Sequence, residues 1–105
     1  MSKRFAIIVA LVGAMACAPA LADPVKIVAA ENFYGDVASQ IGGANVAVTS
    51  ILTNPDVDPH LFEATPDTAR ALSDAKVVIA NGAGYDSWME RMLRAHPARK
   101  GEAVG

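Results

Sequence analysis

Residues Ser50–Asp67, SILTNPDVDPHLFEATPD, join a β-branched run to the start of a helix, and their reading decides how the rest of the chain is arranged. Asn54-Pro55 and Asp58-Pro59 each exclude the residue before proline from the helical region, so the backbone turns outward after the β-branched run. Asp56, Asp58 and Glu63 crowd around a single histidine, His60. Such a composition packs poorly and suits a stiffened binding loop that holds His60 at a defined place.

Working outward, Val46–Leu52, VAVTSIL, reads as the strand that feeds this loop. Thr65-Pro66-Asp67 reads as a helix start: threonine caps, proline tolerates the first turn, and the acid suits the positive end of the dipole. That helix is expected to run to about Ala75. Upstream, Val25–Ala30, VKIVAA, reads as the central strand. Asn32 is the expected cap of a helix with Phe33, Val37 and Ile41 on one apolar stripe, ended by Gly42-Gly43. Downstream, Lys76–Ala80 is a third strand and Asn81-Gly82-Ala83-Gly84 a turn. Asp86 or Ser87 then caps a helix that sets Trp88, Met89, Met92 and Leu93 on one face, pairs Glu90 with Arg94, and stops at His96 before Pro97. From Ala98 the chain reads as a loop. Alternating strands and helices imply an α/β fold with a parallel sheet and right-handed crossovers.

The first 22 residues read as a secretory signal peptide. Lys3 and Arg4 give the positive start, Phe5–Ala16 the apolar run, and Ala20-Leu21-Ala22 the small-x-small cleavage site. Pro19 and Asp23 close the run too early for a membrane span. Cys17, the only cysteine, lies inside this leader, so the mature chain carries no disulfide; lipid attachment at Cys17 is the alternative. Cleavage removes two of nine basic side chains and none of the eleven acidic ones, taking the formal charge from −2 to −4. That balance argues against nucleic acid. Residues 23–105 are expected to form an incomplete lobe, because three parallel strands with few covering helices leave apolar surface exposed.

In an open α/β sheet, ligands bind beyond the carboxyl ends of the strands. Here those ends deliver Glu31 and Asn32, then Asp56, Asp58, His60 and Glu63, then Asn81 and Gly82. An imidazole among carboxylates is chemistry suited to zinc or manganese, and a carboxylate on the other ring nitrogen would orient it. Plainer roles are open for the same residues: turn formation for Asp56 and Asp58, solvation for Glu63, core packing for Phe33, Tyr34, Tyr85 and Trp88, and a helix-dipole partner in His96. No phosphate-cradling glycine loop follows the first strand, and no Gly-x-Ser-x-Gly elbow or mature-chain thiol offers a nucleophile.

The segment from Val25 to Leu93, and above all the run Asp58–Pro66 of the form D-P-H-x-[FY]-E-x-[TS]-P, resembles the N-terminal lobe of the zinc- and manganese-binding solute-binding proteins of bacterial ABC importers. The resemblance implies two α/β lobes joined by a long helix with Zn²⁺ or Mn²⁺ held between them, and it maps the first metal ligand onto His60. It implies that the remaining ligands come from later in such a chain, that a membrane permease receives the metal, and that the protein is a periplasmic monomer and not an enzyme. His96 does not match a second-ligand motif. The alternatives are a surface adhesion or interaction protein, an α/β enzyme with His60 as general base and other catalytic groups downstream, and a remnant that does not fold.

Overall fold

The computed structural model describes residues 22–95 and the short strand at 102–104. The expected leader 1–22, all but its last residue, lies outside the described residues, as do Cys17 and His96. Among the described residues no helix is long and apolar enough to cross a membrane.

The chain runs β1 (Val25–Glu31), α1 (Asn32–Gly42), a 3₁₀ turn (Gly43–Asn45), β2 (Val46–Leu52), α2 (Pro66–Asp74), β3 (Val77–Ile79), α3 (Ser87–Ala95) and β4 (Glu102–Val104). All strand pairs are parallel, in the order β2-β1-β3-β4. The expected α/β class, the parallel sheet and the central place of β1 are all observed. A fourth strand adds to the three expected, in the stretch read as a loop. Glu102, Ala103 and Val104 are too few to show a period, and their strand exists through pairing with Val77–Ile79.

The first crossover carries the chain to one side of β1 and the second to the other, so the connections diverge between β1 and β3. A crevice opens at such a switch point, beyond the carboxyl ends of the strands. Val28 and Ala30 of β1, Leu52, Val78, Leu72 of α2, and Trp88 and Met89 of α3 form the main core. Trp88 and Met89 are buried and Met92 and Leu93 partly so, as the helical spacing of α3 predicts. Burying a side chain such as Leu72, 2% exposed, contributes about 1.5–3 kcal/mol.

Helix α1 packs differently from the expectation. Phe33, Val37 and Ile41 are 49%, 53% and 83% exposed, and the residue that α1 buries is Gly35. A Cβ on Gly35 would collide with the Ser50 hydroxyl, and one on Gly42 would lie 2.4 Å from a Val46 methyl. The helix therefore approaches β2 on its small residues and turns its apolar stripe outward. Its N-cap is Glu31, with no side-chain capping bond, where Asn32 was expected. Gly43 ends it at φ 53°, a conformation open to glycine at little cost.

Helix α2 starts as its sequence requires. The Thr65 hydroxyl accepts from the Thr68 backbone N–H at 3.3 Å while the Thr68 hydroxyl accepts from the Thr65 N–H at 3.2 Å, with Pro66 in the first turn.

Candidate functional site

The loop between β2 and α2 is shaped by two side-chain turns. The Asn54 side-chain oxygen accepts from the Asp56 N–H at 2.9 Å, and the Asp58 carboxylate accepts from the His60 N–H at 2.9 Å. Each turn straddles a proline. At the loop's far end Phe62 packs on Trp88, ring centroids 4.6 Å apart, which anchors the backbone to the core. Between these restraints His60 stands exposed, its side chain 60% accessible.

Asp58 holds His60 twice, because the same oxygen that takes the backbone N–H also lies 3.0 Å from ring Nδ1. Those bonds, the backbone one first, keep the Asp58 carboxyl below its ordinary value. An ionised carboxylate only accepts, so Nδ1 carries the hydrogen and Nε2 keeps the lone pair that a metal requires. Tyr85, from the turn after β3, also meets the imidazole edge-on.

The turn itself is held from within. Asp86 or Ser87 was expected to cap α3; Asp86 directly precedes the helix and its carbonyl accepts from the Met89 N–H at 2.9 Å, but its carboxylate is fully buried and points back, accepting from the Asn81 N–H at 2.7 Å and the Gly82 N–H at 2.9 Å. Gly82, Ala83 and Gly84 all take positive φ, which lets the backbone wrap around that one side chain. The Tyr34 hydroxyl of α1 donates to the Asn81 side chain, tying the helix to the same turn.

The strand-end residues do not form one continuous rim. Asn32, Asp56, Asp58, His60, Glu63 and Asn81 are exposed, whereas Glu31 is 2% exposed and leaves the open edge. Burial first, and then the charge and hydrogen bonding of Asp86, push its carboxyl up from an ordinary 4.5 to about 7. Glu31 lines an open cavity of about 220 Å³ together with Asn32, Leu52, Asn54 and Tyr85 among others. Among the described residues no three His, Cys, Asp or Glu side chains come together as a metal cluster. His60, Asp58 and Tyr85 are brought together; Asp56 and Glu63 form no bond to the imidazole. Sequence reasoning overlooked the buried pair Glu31 and Asp86. The available signal was an acid closing the most apolar strand, VKIVAAE.

Residues 27–104 match the family described as zinc-uptake complex component A, periplasmic. The chain belongs to that family. Among curated relatives, the manganese-binding lipoprotein MntA of Halalkalibacterium halodurans is 37% identical over 68 residues, which are 65% of this chain and 22% of that protein. MntA of Bacillus subtilis is 34% identical over 79 residues, 75% of this chain and 26% of the relative. This family member thus spans about a quarter of the length of the curated relatives it matches. The same fold is seen in the periplasmic zinc-binding protein TroA of Treponema pallidum, at a TM-score of 0.68 and 23% identity over 77% of this chain and 28% of that one. A crystal structure of ZnuA matches at a TM-score of 0.67 and 25% identity, over 79% and 32% of the two chains. The resemblance read from Asp58–Pro66 is therefore upheld at the level of family and fold: the described residues form a parallel-sheet α/β unit of the kind seen in TroA and ZnuA.

Proposed function

We propose that this family member captures Zn²⁺ or Mn²⁺ outside the inner membrane for an ABC importer, with His60 as a metal donor, and passes the ion to a membrane permease. The observation that carries the reading is the state of His60: an exposed imidazole beyond the carboxyl ends of a parallel sheet, its Nδ1 hydrogen given to Asp58 and its Nε2 lone pair free of that bond. A resident carboxylate behind a ligating histidine fixes the tautomer and raises the basicity of the donor nitrogen.

One imidazole does not hold a transported metal at useful affinity, since such sites use three or four protein donors. Residues 23–105 therefore act as the first of two lobes, with the remaining donors supplied by the second. The names of the relatives, manganese-binding for MntA and zinc-binding for TroA, support both metals; carboxylate-rich completion would favour manganese and histidine-rich completion zinc. Export through the leader 1–22 places the protein in the periplasm. It acts as a monomeric carrier and performs no catalysis.

Titration of Zn²⁺ and Mn²⁺ into a chain that carries both lobes, and into its His60→Ala variant, tests this. Loss of at least tenfold in affinity is expected, and an unchanged affinity removes His60 from the site.

A further inference from the structure

Two acids are shut away from water at the carboxyl edge of the sheet: Glu31, 2% exposed, and Asp86, 0% exposed. Both oxygens of Asp86 are occupied by backbone N–H donors, from Asn81 and Gly82. Neither oxygen of Glu31 has a hydrogen-bond donor among the described residues. Ala29 of β1 lies beside Ile79 of β3, so Glu31 and Asn81, each two residues further on, leave the sheet at the same edge, where the Asp86 carboxylate holds the Asn81 N–H. Two ionised carboxylates are both acceptors, so they share a bond only when one of them holds a proton. Two N–H donors stabilise Asp86 in its charged form, whereas nothing comparable stabilises a charge on Glu31.

We propose that Glu31 is a positioning residue that carries this proton and donates it to Asp86, so that one shared hydrogen closes the joint between the end of β1 and the turn from Asn81 to Asp86. No other charged side chain lines the cavity beside Glu31 among the described residues. Strand β2 sets Leu52 opposite it, α1 places Asn32 and Phe33 beside it, the proline loop adds Asn54, and the turn adds the neutral phenol of Tyr85. The elevated carboxyl of Glu31 is what such surroundings require.

The consequence reaches His60 through one neighbour. Tyr85 precedes Asp86 in the chain and stands edge-on to the imidazole, so whatever fixes Asp86 against β1 also fixes where that ring stands. Above the Glu31 midpoint the proton leaves, two buried carboxylates face each other, and the joint loosens. It closes in the same way with or without metal on His60.

Carboxyl-carbon and amide NMR of the full chain across pH 4–9 tests the assignment. Glu31 is expected to titrate near 7, with the Asn81 and Gly82 amides and the Tyr85 ring signals inflecting at the same midpoint. In Asp86→Asn the Glu31 midpoint should fall yet stay above the ordinary glutamate range, since burial persists. In Glu31→Gln, whose amide donates at every pH, the two amides should keep their low-pH positions throughout, which a purely space-filling role would not produce. A Glu31 carboxyl titrating in the ordinary range in the unmodified chain overturns the proposal, as do Asn81 and Gly82 amides that ignore its midpoint.

Discussion

The imidazole of His60 and the ring of Tyr85 meet edge to face, with centroids 5.5 Å apart and planes at 72°, although the two side chains come from loops that follow different strands. Such an aromatic contact contributes about 0.5–1.5 kcal/mol. Replacing Tyr85 with leucine keeps apolar bulk and removes the ring edge. Zn²⁺ affinity measured by calorimetry is expected to fall about 2- to 12-fold. An affinity equal to that of the unmodified protein would show that the ring plays no part in holding His60.

Asp58 restrains the same imidazole through a single carboxylate oxygen that serves both ring and backbone. Asp58→Ala should lower metal affinity by about 10- to 100-fold, the usual cost of losing a carboxylate behind a ligating histidine. Because the Asp58 carboxyl is held below its ordinary 3.8, its restraint is present at neutral pH and lost as pH falls through the depressed value. Affinity that is indifferent to Asp58 would mean that another group orients the ring.

Gly42→Ala tests the close approach of α1 to β2. The added methyl would stand 2.4 and 2.5 Å from the two Val46 methyls and 3.0 Å from its Cβ. Rotating a β-branched side chain exchanges one clash for another. Urea unfolding should show a loss of about 1–3 kcal/mol. The same substitution in a Val46→Ala background should cost much less, and equal losses in both backgrounds would place the strain elsewhere.

Ile41, 83% exposed, should tolerate Ile41→Gln within about 0.5 kcal/mol in the same assay. A loss in the range of about 2–5 kcal/mol, typical of a truncated core side chain, would mean that the apolar stripe of α1 is buried after all.

Glu31 makes stability depend on pH in a stated direction. Its folded-state value of about 7 lies above the ordinary 4.5, so between those limits the folded chain holds more protons than the unfolded one. Stability therefore falls as pH rises through that window and levels off above it. Thermal midpoints should drop from pH 5 to pH 8 in the unmodified chain and drop less in Glu31→Gln. Parallel pH profiles for the two proteins would contradict this.

The comparison of α1 with α2 shows what local sequence can carry. Thr65, Pro66 and Thr68 announce the start of α2 because capping is settled within four residues, and the hydrogen bonds form as those side chains dictate. In α1, Phe33, Val37 and Ile41 announce a buried stripe with equal clarity, and the helix buries the opposite side. Gly35 and Gly42 lack side chains that would hold the helix away from β2, and close approach there outweighs the burial that the larger residues offer. Periodicity shows that a helix has an apolar face; which face meets the sheet depends on how near the backbone can come.

By itself the sequence determined the α/β class, the boundaries of β2, the capped start of α2 and the proline loop that carries His60. Each of these is written in contiguous residues whose backbone preferences act locally. Only the tertiary structure decided that Glu31 withdraws from the open edge, that the Asp86 carboxylate turns inward to the Asn81 and Gly82 amides, that Tyr85 stands against His60, and that Glu102–Val104 joins the sheet. Those outcomes depend on desolvation, on hydrogen-bond donors such as the Asn81 and Gly82 amides, and on strand pairing, all supplied by partners distant in the chain.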